Sequence, residues 1–370
     1  MSNFIFSIMS KLPISVSRRF YNVLPFLKKN SLIVTNSPTG NWTDIVANEN
    51  YVAACSCFKE NDNKDNSMIC LSSNGGSSWS TVDKKLFPEE MNWKAIDMSS
   101  DGKYITVISD ADIVNFDSEI RTLAYRPNTN KKGSIYYSND FGVSWNKASI
   151  LDLGQNYSEL SFKSICMSSD GKDQYIATND GIFRSLDYGK NWECIYQFEQ
   201  INGFIHKIVM SKVKINVVNN NYILGLIIKG TTTFKFYTSN NGGLSWNKTV
   251  SRIVQNKDWS SLSYTDSGKS ILISSNNEIF KNDYYGLGIF SKISSSTPPP
   301  DKITDIQKRS DELSNFIIST NSAGVWLFNN STFTQISNNN LLQNWTSVAM
   351  NSDHTNMFVT LLGGNIYTIM

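Results

Sequence analysis

The chain has 370 residues, a formal net charge of +2 and 40% hydrophobic residues, including 20 Phe, 16 Tyr and 9 Trp. That composition excludes a globally disordered chain, and no apolar run reaches the 18 or so residues of a membrane span. Residues 1–40 carry +5 and the remainder −3, so the body is no nucleic-acid binder by charge and only the N-terminal arm is basic.

Residues 1–30 hold Phe4, Ile5, Phe6, Ile8 and Met9, then Arg18, Arg19, Phe20 and Tyr21, then Phe26, Leu27, Lys28 and Lys29, with no acid. Such an arm suits docking to a partner or a membrane surface, or organelle import. A secretory signal fits poorly, because the charges follow a short, interrupted apolar stretch. Ser31 to Thr35 then reads as a short β run.

From Trp42 onward the chain repeats. The units share a first, a second and a third strand, and four of them place an Asp-Gly type turn after the first strand. Units begin near Trp42, Trp93, Phe162, Ile205, Trp259, Ile303 and Trp345. Asp-Gly type turns fall at Asp101-Gly102, Asp170-Gly171, Asp266-Ser267-Gly268 and Asp353. Third strands lie near Met68, Ile135, Ile182, Phe234, Ile279, Val325 and Ile366.

Four third strands run into one eight-residue pattern, S-x-[DN]-x-G-x-[SN]-W. Its copies are Ser72, Asn74, Gly76 and Trp79; Ser138, Asp140, Gly142 and Trp145; Ser185, Asp187, Gly189 and Trp192; and Ser239, Asn241, Gly243 and Trp246. As a turn it is physically sensible. The Asp or Asn accepts from nearby backbone N–H groups, the Gly takes a positive φ, and the Trp opens the next strand and buries its ring. Unit five keeps a remnant, Asp283 and Gly286.

Three segments stand out, one of them Cys57 to Ser67, rich in Asn and charge. Asp110 to Gly133, between strands two and three of unit two, is long for a tight repeat. Ser294 to Pro300 is an extended connector stiffened by its prolines.

The pattern predicts an all-β chain: a seven-bladed β-propeller of four-stranded antiparallel blades. Unit seven ends after its third strand, so the N-terminal run 31–35 is expected to close the last blade. Residues 1–30 then form a basic arm and 31–370 the propeller.

The eight-residue pattern resembles the Asp-box, or bacterial neuraminidase repeat. Proteins carrying it include sialidases, sortilin-like receptors, xyloglucan-degrading glycosidases and the photosystem II assembly factors. The resemblance implies a structural turn in each blade. It also implies that any site lies on the opposite face, with the loops between strands two and three.

A sialidase of the resembled kind needs three arginines and an early Arg-Ile-Pro motif. The motif is absent, and Arg184 and Arg309 fall on the turn face. Arg121, Arg126 and Arg252 fall on the loop face, two of them in one loop. Loop-face carboxylates suited to glycoside hydrolysis are Asp62, Asp65, Asp110, Asp112, Asp117, Glu119, Asp152, Asp258 and Asp301. His206 and His354 are too far apart along the ring for a shared site. The five cysteines, Cys55, Cys57, Cys70, Cys166 and Cys194, include no CxxC pair, which argues against zinc and for small buried side chains in a reducing compartment.

The function expected is a non-catalytic binding or structural propeller; the alternative is an Asp-box glycoside hydrolase. No cofactor or metal is expected. The partner is a protein or a glycan, and no nucleic acid binds the body. The binding surface is expected at Asp112, Phe116, Asp117, Glu119, Arg121, Tyr125 and Arg126. The Lys and Asn bias (27 Lys, 43 Asn) suits an AT-rich genome such as that of a protist or a large DNA virus. Chance explains the N-x-[ST] sequons, so an intracellular or virion location is expected over secretion.

Overall fold

The computed structural model describes residues 31–57, 67–87, 91–109, 113–117, 122–126, 133–151, 160–179, 181–198, 203–215, 221–230, 234–248, 257–295, 297–311, 315–329, 331–337, 343–351 and 353–369. Among them the chain is almost entirely β, with helix confined to a 3-10 turn over Lys84–Leu86.

The strands run as antiparallel meanders, paired in chain order. Unit two has Trp93–Met98, Ile105–Ser109, Ser134–Ser138 and Asn146–Lys147. Unit three has Phe162–Met167, Gln174–Thr178, Gly181–Ser185 and Asn191–Gln197, with Ser149–Ile150 added in parallel to the last. Unit four has Gly203–Met210, Leu224–Gly230, Phe234–Ser239 and Asn247–Lys248. Unit five has Trp259–Tyr264, Ile271–Ser275, Glu278–Asn282 and Ser291–Lys292. Unit six has Ile303–Gln307, Phe316–Thr320, Val325–Asn329 and Thr332–Gln335.

Units one and seven share one eight-stranded sheet. One half is Gly40–Ala47, Val52–Cys57, Ile69–Ser72 and Ser80–Thr81. The other is Trp345–Met350, Met357–Gly364, Ile366–Ile369 and the N-terminal strand Leu32–Val34. Among the described residues the strand pairing between the halves is Gly40 with Gly364 and Asn41 with Leu362. Leu32, Ile33 and Val34 face Ile369, Thr368 and Tyr367, so the two chain ends pair as expected.

The core lies between neighbouring sheets. Val46, Ala53, Cys55 and Ile69 of unit one pack with Trp93, Ile96 and Met98 of unit two. Trp42, Ile45 and Ala47 pack the other way, with Ala349, Phe358 and Ile366 of unit seven. First and last units are therefore neighbours, each sheet burying both faces.

Every first strand carries a β-bulge near its start. The register skips Thr43, Lys94, Lys163, His206, Ser260 and Thr304, and slips across Thr346–Ser347. The extra residue leaves the apolar positions at first, fourth and sixth place, as in Trp42, Ile45 and Ala47. Bulges re-aim the side chains beside them.

The eight-residue turns and the Asp-Gly turns share one face. Phe141 N–H donates to Lys103 O at 3.0 Å, Tyr188 to Lys172 at 3.3 Å and Tyr285 to Lys269 at 2.8 Å. On that face one backbone chain links five units: Ser100 N donates to Ser169 O, Ser169 to Lys212, Lys212 to Asp266 and Asp266 to Arg309, each at 2.8–2.9 Å. By strand direction, the connections between second and third strands lie on the opposite face. One of them corrects the sequence reading. The 110–133 insertion holds its own hairpin, Ile113–Asp117 paired with Thr122–Arg126, rather than an irregular loop alone.

Candidate functional site

The four eight-residue turns are built alike. In the second, Ser138 Oγ donates to Asp140 Oδ1 at 2.8 Å and accepts from Gly142 N–H at 2.8 Å. Ser144 N–H donates to Asp140 Oδ1 at 2.9 Å, and Trp145 Nε1 donates to Gly142 O at 3.0 Å. Burial would raise the Asp140 carboxyl, but the Ser144 and Ser138 donors outweigh it and hold it below its usual range. Gly142 has φ +81°, and a Cβ there would lie 2.2 Å from Leu71 of the preceding unit. The turn therefore seals a joint between units, and the glycine is required both by φ and by the close approach. The tryptophans differ: Trp145 and Trp192 are buried, whereas Trp79 and Trp246 are half-buried. In unit five the remnant is shifted. Asn282, not Asp283, accepts from Tyr284 and Gly286 N–H, while Asp283 bonds Ser270 and Lys281.

Polar side chains of the first strands converge on the axis of the ring. First strands are sheet edges, and their unpaired N–H groups need partners. Asp44 Oδ2 accepts Ile96 N–H of unit two at 3.1 Å. Asp97 Oδ2 accepts Met167 N–H of unit three at 2.7 Å. Asp305 Oδ2 accepts Val348 N–H of unit seven at 3.2 Å, and Gln307 Oε1 accepts Met350 N–H at 2.8 Å. Each is a side-chain clamp from one unit to the next.

Cations cross between non-adjacent units. Lys207 of unit four reaches Asp305 of unit six at 2.5 Å, and Ser261 and Ser347 donate to the same carboxylate at 2.6 and 2.8 Å. Lys212 of unit four reaches Asp97 of unit two at 3.1 Å. Ser347 Oγ also lies 3.3 Å from Asp44 Oδ1, so one hydroxyl touches both carboxylates. Their charge states diverge. Burial pushes Asp44 up to about 7; Lys207 pulls against that and the Asp305 charge adds to it. Burial would raise Asp305 too, but Lys207, Ser261 and Ser347 outweigh it and hold it below the usual range.

Lys94, Lys163 and His206 occupy the bulged position of the first strands of units two, three and four, directly after Trp93, Phe162 and Ile205. His206 Nε2 lies 3.0 Å from Ser260 O. Burial, then Lys229, Lys94 and Lys207, press its imidazole well below its usual pKa. Lys229 is lowered to about 8 by burial, then by Lys302, with Asp258 opposing and Lys94 adding.

Of the binding residues expected, Asp112, Glu119 and Arg121 lie outside the described residues. Phe116 and Asp117 sit in one strand of the hairpin and Tyr125 and Arg126 in the other, where Phe116 faces Leu123 and Val114 faces Tyr125 in register. Asp62, Asp65, Asp110, Asp152 and Arg252 also lie outside. Of the remaining loop-face carboxylates, Asp258 pairs with Lys302 at 2.9 Å, and Asp301 accepts Ser322 Oγ at 2.8 Å. Arg184 pairs with Glu193 at 2.7 Å. His354 is buried in the unit-seven turn at φ +62°, remote from His206 in sequence and role. All five cysteines are free, four of them buried; burial raises the Cys55 and Cys166 thiols well above their usual range and Cys70 to about 11. Among the described residues no His, Cys, Asp or Glu cluster is arranged to hold a metal.

The axial residues Asp44, Asp97, Lys207 and Asp305 were missed as a cluster from sequence. A signal for them exists. Apolar residues at first, fourth and sixth place imply one extra residue in a period of two, and the polar residues at third and fifth place then turn inward.

No protein-family model matches the chain, and no curated protein matches it. Solved structures do. A GH74 xyloglucanase from Xanthomonas campestris aligns with 12% identity and a TM-score of 0.58, over 92% of this chain and 53% of its own. The chain thus spans about half the length of that enzyme. A structure described as YCF48 bound to D1 peptide aligns with 13% identity and a TM-score of 0.62, over 92% of this chain and 94% of its own. Both are similar in fold, and the chain is a β-propeller.

Proposed function

We propose that this chain is a non-catalytic, seven-bladed propeller of the Asp-box type that binds a protein or glycan partner on its loop face as an assembly or scaffold component. The blade count is supported by dividing the eight-stranded sheet at its two-residue contact; Leu32–Val34 is then the outer strand of the last blade. Residues 31–370 form the propeller and residues 1–30 a basic docking arm. The hairpin Ile113–Asp117 and Thr122–Arg126 belongs to the working surface.

The observation that carries the reading is the fate of the carboxylates. Asp44, Asp97 and Asp305 each bond the backbone of the next first strand. Asp258 and Asp301 are engaged on the loop face by Lys302 and Ser322. Such groups hold the ring together. The structures that resemble the chain, a hydrolase and a peptide-bound propeller, do not choose between catalysis and binding; these bonds support the binding reading.

Glycoside hydrolysis is the second reading, for one reason. Asp44 and Asp305 meet at the Ser347 hydroxyl and lie on opposite sides of their usual pKa, as an acid and a base do. The test is incubation with xyloglucan and with sialyllactose, products being read by mass spectrometry. No product is expected. Release of sugar that Asp44→Asn abolishes would overturn the binding reading.

A further inference from the structure

Single apolar side chains left in water are ordinary on a protein surface, but a collection of them on one face marks a contact. Here they collect on the turn face. The turn after the third strand presents Phe141 and Val143 in unit two, Leu186 in unit three, Leu244 in unit four, and Tyr284 and Ile289 in unit five, all exposed. Val143 and Ile289 are 77% and 82% exposed, so their tips project into solvent. Val213, in the turn after the first strand of unit four, joins them. These are most of the large apolar side chains that the described residues leave exposed. Backbone bonds tie the turns to one face. Phe141 N–H and Tyr285 N–H each donate to the Asp-Gly turn of their own unit, and Lys212 N–H, next to Val213, donates to Asp266 O of unit five.

Lysines stand between the tips: Lys172, Lys190 and Lys269 are exposed on the same set of turns. The carboxylates there are folded into the turns themselves. Asp140 accepts Ser144 N–H and Oγ, Asp187 accepts Asn191 N–H and Nδ2, Asp170 accepts Lys172 N–H, and Arg309 grips Asp266. Asp283 pairs with Lys281 at 2.7 Å. The basic arm joins the propeller at this face too. Ile366–Ile369 is a third strand and so runs toward the turns, and Leu32 pairs with its last residue, Ile369. Residues 1–30, with five basic residues, no acid and the apolar Phe4, Ile5, Phe6, Ile8 and Met9, are therefore attached on the turn side.

We propose that the turn face of units two to five rests on an anionic lipid surface. The apolar tips enter the interface, and Lys172, Lys190 and Lys269 meet the headgroups. The tips sit on four successive turns with charged residues between them, so they form no continuous packed centre of the kind a protein interface needs. A fluid interface takes up separate tips one by one. Contact on this side leaves the loop face turned away from the lipid and open to the partner proposed above. The inference goes beyond that reading and does not depend on it.

The test is co-sedimentation of the full chain with vesicles of equal parts phosphatidylcholine and phosphatidylserine, beside vesicles of phosphatidylcholine alone. The chain is expected to bind the anionic vesicles, less so with added salt or without phosphatidylserine. Val143→Ser combined with Ile289→Ser weakens binding by about tenfold or more; both side chains are exposed, so the core is untouched. Lys172→Glu combined with Lys190→Glu abolishes the preference for anionic lipid. A second measurement uses unaltered protein. Vesicles shield Lys172 and Lys190 from acetic anhydride and leave Lys235, exposed near the loop-side start of a third strand, reactive. Absence of binding to either vesicle overturns the lipid assignment. So does unchanged binding by the Val143→Ser and Ile289→Ser variant, which would leave the contact to residues 1–30. Shielding of Lys235 in place of Lys172 and Lys190 would put the other face on the lipid and overturn it as well. A protein lost from that variant in affinity capture, with no vesicle binding by wild type, would make this face a protein interface instead.

Discussion

Asp266 and Arg309 are joined twice. The backbone N–H of Asp266 donates to Arg309 O at 2.8 Å, and the guanidinium grips the Asp266 carboxylate through Nε at 2.7 Å and Nη2 at 2.9 Å. The remaining nitrogen, Nη1, reaches Ala47 O, Asn48 Oδ1 and Met350 O at 2.9–3.2 Å. Arg309 thus continues the chain of backbone bonds from unit five through unit six to units seven and one. Its side chain is 5% exposed.

Breaking that link should be costly. Arg309→Met leaves a carboxylate and three buried acceptors without their donor. The expected loss is about 3–5 kcal/mol, measured by urea unfolding. Lys fits neither the fork nor the span, so Arg309→Lys recovers only part of it. A wild-type midpoint for Arg309→Met would show that the ring does not depend on this residue.

The joining of the chain ends predicts a contrast between two truncations. Removing residues 1–28 leaves Leu32–Val34 and its partners intact. Removing 1–36 deletes that strand and the Thr35 bonds to Ile366 O. The longer deletion should lower Tm by roughly 5 °C or more and the shorter one should not. Equal melting temperatures would contradict closure through this strand.

The eight-residue turns predict unequal tryptophans. Trp192 is fully buried, so Trp192→Ala should cost about 3–5 kcal/mol. Trp79 is half-buried, and Trp79→Ala should cost roughly 1–2 kcal/mol. Denaturant midpoints of the two variants decide this; identical losses would mean that burial does not set the contribution of the turn.

Much of this fold is legible in the sequence, because a turn that must seal a joint between sheets keeps Gly142 and Trp145 in fixed register. The axial cluster is less legible. Asp44 and Asp305 sit in short alternating runs that look like ordinary half-buried strands. Only the bulge, a property of pairing, turns them to the axis. The hairpin within 110–133 was hidden for another reason: its strands pair with each other and join no repeat, so the period says nothing about them.

The Asp44 carboxyl predicts a pH dependence. Its folded pKa, about 7, lies above the usual 3.8. The folded state keeps a proton there that the unfolded chain releases between those values. The stability this group contributes is full at low pH and is lost as pH rises through about 7. Asp44→Asn removes that dependence, while Lys207 and Asp305 stay in place. The Tm of the variant relative to wild type should therefore rise between about pH 4 and about pH 8. A difference that stays constant would mean Asp44 is ionised throughout.

In the proposed function the loop face holds a partner and the turn face holds the ring together. Quantitative affinity capture from the native source tests it most directly, with three folded baits compared by mass spectrometry. One is wild type. One replaces residues 111–132 by a short Gly-Ser turn. One carries Phe141→Ser and Val143→Ser, which alter exposed apolar side chains of the turn face. The same partner is expected on wild type and on the turn-face variant, with its loss from the loop-face variant. Retention by the loop-face variant with loss from the turn-face variant would contradict it.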